Sequence, residues 1–128
     1  MSIKTDISVG EFLDKLSIVQ IKRARISDDA KLININKELE VLHDLWRRSE
    51  YVNTDLSAER EELRLVNELL WDIEDDIREK EARGEFDSEF IELARAVYVT
   101  NDRRAKIKKS INTKLGSGIV EEKSYKDY

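Results

Sequence analysis

The sequence predicts an all-α protein, four helices paired as two antiparallel hairpins into a four-helix antiparallel bundle, with an irregular C-terminal tail. Three observations predict it. Proline is absent from all 128 residues, where an average chain would hold about six, so nothing interrupts a helical hydrogen-bond ladder. Hydrophobic and charged residues each make up 40%, the balance of helices that bury one stripe and solvate the rest. Apolar residues recur three and four apart in four blocks, and capping sequences separate the blocks.

The first block opens at Ser8-Val9-Gly10-Glu11, which has the form of a capping box, with Ile7 and Phe12 spaced as a hydrophobic staple. Val9, Phe12, Leu13, Leu16 and Val19 then mark a helix running to about Arg25. Ser27-Asp28-Asp29 caps a second helix over about 29–49, with the seam Leu32, Ile35, Leu39, Leu42 and Trp46. So short a link predicts an antiparallel hairpin. After a loop at Tyr51–Ser57, Leu63, Val66, Leu70, Ile73 and Ile77 predict a helix over 57–82, stopped by Gly84 as a C′ glycine. Asp87 caps the fourth helix, Phe86 and Ile91 sit at staple spacing, and the helix ends near Leu115 at Gly116. Residues 1–116 therefore read as one helical domain. Residues 117–128 have no periodicity and read as a tail, mobile or docked on the surface.

Composition narrows the function classes. A net charge of −5 argues against nucleic acid, whose affinity rests on neutralising phosphates, and against an anionic membrane surface. Absence of cysteine removes disulfides, thiolate catalysis and cysteine-bound zinc. The longest apolar runs fall far short of the roughly 20 residues of a membrane span, and Met1-Ser2-Ile3-Lys4 is a polar start, so a cytoplasmic protein is expected.

Several runs carry a resemblance: Ser8-Val9-Gly10-Glu11-Phe12-Leu13-Asp14-Lys15-Leu16-Ser17-Ile18, Leu70-Trp71-Asp72-Ile73-Glu74-Asp75-Asp76-Ile77-Arg78, and Val97-Tyr98-Val99-Thr100-Asn101-Asp102-Arg103-Arg104. With Leu115-Gly116-Ser117 and Glu121-Glu122-Lys123-Ser124-Tyr125, they resemble a small family of bacterial and phage proteins built on a domain of unknown function. The resemblance implies no activity, cofactor or partner. It directs attention to the polar members of these runs, Asp102 and Arg103 among them.

Two polar patterns stand out. Helix 3 carries a second stripe, Asn67, Trp71, Glu74, Arg78 and Glu81, about 90° from its apolar seam. The plainer reading is Glu74–Arg78 pairing on a flank that packs against a neighbour; the functional reading is a ligand or partner surface. Helix 4 places Asn101, Arg104 and Lys108 at core spacing, where charges need partners or water. Folding at Gly84 sets residue 101 opposite Asn67, and an up-down-up-down bundle brings Glu11 and Asp14 towards Arg104 and Lys108. A polar layer that fixes register is favoured over an anion pocket. Arg103 to Lys114 holds six basic residues and no acidic one, which complements a helix C-terminus.

Metal and nucleophile motifs are weak. Asp72 and Asp75, with Glu89 and Glu92, form two acidic i,i+3 pairs, yet the first two point away from the seam. Glu40 and His43 match half of a di-iron motif whose other half is missing. No Gly-x-Ser-x-Gly elbow exists. The expectation is thus a non-catalytic helical interaction or small-ligand module acting as a homo-oligomer, with no cofactor and no metal. Surplus apolar residues motivate the oligomer: Ile91, Ala94, Tyr98 and Ala105 on helix 4, Ile18 and Ile21 on helix 1. The rival is a small enzyme holding an anionic metabolite with Arg104, Lys108, Asn101 and Arg78.

Overall fold

A computed structural model describes residues 1–116 and 118–128. It contains four helices: α1 Val9–Arg25, α2 Asp29–Arg47, α3 Ser57–Ala82 and α4 Ser88–Leu115. The predicted caps set these boundaries. Ser8 Oγ accepts from Glu11 N at 3.1 Å, Asp28 Oδ1 from Lys31 N at 2.9 Å and Asp87 Oδ1 from Phe90 N at 3.0 Å. Helix α3 has no cap from Leu56; instead the Asp55 carboxylate receives both the amide and the hydroxyl of Ser57. Helix α2 stops at Arg47, two residues before the predicted 49: Arg48 N makes the last i→i−4 bond, to the Asp44 carbonyl, and Ser49 N tightens onto that of Trp46.

Helix α3 ends in a Schellman turn. Gly84, at φ +66°, lets its own N–H reach the Glu81 carbonyl while Glu85 N reaches that of Lys80. The turn tucks Lys80 inward, where its ammonium meets Glu85 at 3.1 Å, Asp87 at 2.9 Å and Glu89 at 3.1 Å. The anticipated staple at this hairpin forms differently: Phe86 packs edge-on against Phe90, and Ile91 stays exposed.

The bundle is two antiparallel hairpins arranged around α1. Helix α1 packs against all three others, α2 packs on α1 alone, and α3 packs on α4 and α1. Leu13, Leu16, Val19, Ile35, Leu39, Leu42, Leu63, Val66, Ile107 and Ile111 form the core. A central helix needs apolar residues on more than one side. That accounts for Ile21 being buried and Ile18 half-buried, so these two residues serve the chain's own interior. Gly10 makes the α1–α4 contact close: a Cβ there would lie 2.5 Å from the Lys108 carbonyl oxygen. The Gly10 amide donates to Asn112 Oδ1 at 2.7 Å, which satisfies a free N–H at the start of α1.

The described tail runs back along α4. Glu121 meets Lys108 and Ser8, Lys123 pairs with Asp102, and the Tyr128 ring lies 5.2 Å from that of Tyr98. Ser117 lies outside the described residues. Among the described residues no helix is long and apolar enough to cross a membrane.

Candidate functional site

The α1–α3–α4 junction gathers the polar residues that the core would otherwise exclude. Asp14, 1% exposed, sits at its centre. Its Oδ1 accepts from Arg104 Nε at 2.9 Å and from Asn67 Nδ2 at 2.9 Å, and Arg104 Nη2 binds its Oδ2. The arrangement is a two-pronged guanidinium–carboxylate pair with an amide completing the acceptor shell, which is what makes a buried carboxylate tolerable. The Asp14 hydrogen bond, with the charges of Asp14, Glu11 and Glu121, raises the Arg104 pKa despite its burial. Asn67 Nδ2 also reaches Ser17 Oγ at 3.4 Å.

One turn further along α4, Lys108 pairs with Glu11 and, at 3.4 Å, with Glu121 of the tail. Burial pulls the Lys108 ammonium down, but Glu11, with Asp14 and Glu121 nearby, more than offsets it and leaves its pKa raised. The expected approach of Glu11 and Asp14 to Lys108 and Arg104 is therefore what the fold delivers.

Asn101 is different. It is half-buried and makes no side-chain hydrogen bond among the described residues, because the register is not set by Gly84. Glu59 pairs with Lys114 and Lys80 with Glu89, so Asn67 comes level with Arg104 rather than Asn101. The turn between Ala82 and Ser88 centres the hairpin beyond the glycine.

The other predicted residues are dispersed. Trp71 is half-buried, whereas Arg78 is exposed and pairs with Glu74 at 3.2 Å. Asn67 shares their stripe but is covered by α1, which ends where Arg25 pairs with Asp72; the stripe is then half-buried at Trp71 and Glu74 and exposed at Arg78 and Glu81. Asp102 receives Lys123 and the Tyr128 hydroxyl, which hold its carboxylate below the usual range. Arg103 is exposed. Of Arg104, Lys108, Asn101 and Arg78, only Arg104 and Lys108 share a network, and both are committed to carboxylates. The acidic pairs also separate, with Asp72 bound to Arg25 and Glu89 to Lys80.

Sequence reasoning missed a cleft between α1 and α3. It is open to solvent, measures about 310 Å³ and is lined by Leu13, Ser17 and Gln20 from α1 and Ser57, Arg60, Glu61 and Arg64 from α3. Helix α2 borders it: the Arg60 guanidinium lies 5.5 Å from the centre of the Trp46 ring, which stacks on Phe12, and Gln20 Nε2 meets His43 Nε2 at 3.3 Å. His43 and Glu40 line a second, shallow cleft of about 280 Å³ on the other side of that contact. The Leu13–Ser17–Gln20 and Arg60–Arg64 spacings were the available signals, but they point to a cleft only once α2 is known to leave α3 uncovered.

Together these features define a small helical-bundle protein whose α1 is fixed by a buried Asp–Arg–Asn network and flanked by an open cleft. The chain belongs to the family of unknown function DUF6165, whose model matches residues 3–128. No curated protein and no solved structure matches the chain.

Proposed function

We propose that the protein is a non-catalytic helical interaction module that works as a homo-oligomer, pairing through the face of the α3–α4 hairpin opposite α1. One observation carries this reading. At 100° per residue, Leu65 and Leu69 of α3 and Val99 of α4 fall on the flank that neither α1 nor α2 packs against, and they are 52%, 41% and 38% exposed. Leu65 and Leu69 are one helical turn apart, and apolar side chains gathered on one exposed face mark association surfaces.

Charge supports self-pairing over a foreign partner. The hinge half of the hairpin, residues 72–92, holds ten acidic and three basic side chains, a net −7 in a chain of −5, while Arg103 to Lys114 is wholly basic. A two-fold axis across this face brings a patch against itself. With the hairpins antiparallel, Asp76 and Glu92 of one copy meet Arg103 and Lys106 of the other.

Light scattering behind size exclusion tests it. A two-chain mass at micromolar concentration, reverting to one chain in Leu69→Glu with helicity unchanged, is expected. A one-chain mass for the wild type across a tenfold dilution range rules the reading out.

A further inference from the structure

We propose that the cleft between α1 and α3 is a binding site for a small monocarboxylate with an apolar body, and that Arg60 and Ser17 hold its carboxylate. The site lies on the α1 side of α3, away from the pairing face above, so the two readings stand or fall separately.

Three observations converge on it. The first is charge. The cations nearest the cleft and the buried network are matched: Arg64 is clasped by Glu61 at 2.9 Å and reaches Glu68 at 3.0 Å, and Arg104, Lys108 and Lys114 each bind a carboxylate. Arg60 has no carboxylate partner among the described residues. It is half-buried at the cleft, with its guanidinium carbon over the Trp46 ring, 5.5 Å from the ring centre. A cation–π contact of this kind favours one position of the donor fork that recognises a carboxylate.

The second observation is a free donor. Ser17 is 7% exposed and lines the cleft. Asn67 donates to its oxygen, and Asn67 is itself oriented by the fully engaged Asp14. The Ser17 hydroxyl hydrogen has no acceptor among the described residues, so it remains available to a ligand oxygen. Ser57 cannot serve in this way, because its hydroxyl already donates to Asp55 at 2.6 Å.

The third observation is shape. A volume of about 310 Å³ lies at the small end of ligand pockets. Leu13 supplies an apolar floor. Since Glu61 and Arg64 neutralise one another, the cleft offers one net positive charge beside the first two turns of α3, the positive end of that helix. One cation, one hydroxyl and an apolar floor match a singly charged carboxylate better than a phosphate, which calls for several cations or amides.

The test is a ¹H–¹⁵N NMR titration of the full chain with benzoate, using benzamide as the neutral counterpart and inorganic phosphate as the competing anion. Benzoate should shift Ser17, Gln20 and Arg60 and the Trp46 indole, with benzamide and phosphate at least tenfold weaker. Arg60→Gln should weaken benzoate at least tenfold and Ser17→Ala severalfold, each spectrum otherwise keeping its wild-type pattern. Arg64→Gln should stay within about twofold. Should Arg60→Gln disturb the fold, Ser17→Ala alone decides. No cleft shifts by about 20 mM benzoate, roughly twentyfold above a millimolar dissociation constant, overturns the proposal. So does equal binding of benzamide, preference for phosphate, or indifference to the deciding substitution.

Discussion

At the residue scale, Asp14 and Gly10 set how α1 sits on α4. Asp14 lies one helical turn from Gly10, and both face α4 where Arg104, Lys108 and Asn112 approach. Asp14→Ala removes the partner of Arg104 and one acceptor of Asn67. Breaking a buried pair costs about 3–5 kcal/mol; since the Arg104 side chain is 28% exposed, the lower end, about 3 kcal/mol, is expected in a denaturant melt. Gly10→Ala sets two effects against each other. Alanine favours a helix by up to about 1 kcal/mol, but its Cβ would press on a backbone oxygen that cannot swing aside, and overpacking costs about 1–3 kcal/mol. Net destabilisation is the expected result, and a melt in which Gly10→Ala is more stable than the wild type refutes it. The Asp14–Arg104 contact was legible in the sequence because helical register and an antiparallel bundle bring the two together. The residue level with Asn67 was not, because a three-residue shift in the α3–α4 register exchanges Asn101 for Arg104.

At the scale of the elements, legibility followed locality. Caps act within four residues, so Ser8, Asp28, Asp87 and Gly84 announced their helix ends directly. Ser8→Ala and Asp87→Ala should each cost about 1 kcal/mol, and the melting midpoints check both. The α3–α4 turn depends on more than its caps. Lys80 draws Glu85 and Asp87 below the usual carboxylate range, and its own pKa is raised by Asp87, Glu89 and Glu85. Carboxylates depressed in the folded state stabilise it above their ordinary pKa, near 4, and lose that contribution as pH falls through the folded value. Lys80→Met should therefore lower the melting midpoint at pH 7, and the loss should shrink as pH falls through the folded values of Glu85 and Asp87. A loss that stays the same size throughout an acid titration means that Lys80 acts through packing alone. No sequence pattern disclosed this cluster, because a lysine surrounded by carboxylates looks like a solvated face until the turn buries it.

At the scale of the whole molecule, the C-terminal tail covers part of α4. Its outer stripe, Ile91, Ala94, Tyr98 and Ala105, looked from the sequence like surface awaiting a second copy, yet the tail occupies part of it. Asp102 is the hub of that attachment, accepting from Lys123 and from the Tyr128 hydroxyl. These bonds hold its carboxylate below the usual range, so the contribution is present above about pH 4 and lost as pH falls through the folded value. Acid acts on more than this one contact, which makes Asp102→Asn at pH 7 the cleaner experiment: it removes the Asp102 charge alone. Because the described tail residues are themselves exposed, their release should cost the bundle little. The expected outcome is a fall in the heteronuclear NOE across Lys123–Tyr128 with the melting midpoint nearly unchanged. If the tail is as ordered in Asp102→Asn as in the wild type, the Tyr98–Tyr128 ring contact and the Glu121 bonds hold it without the charge. A large fall in the midpoint would instead make the tail part of the fold that the four helices require.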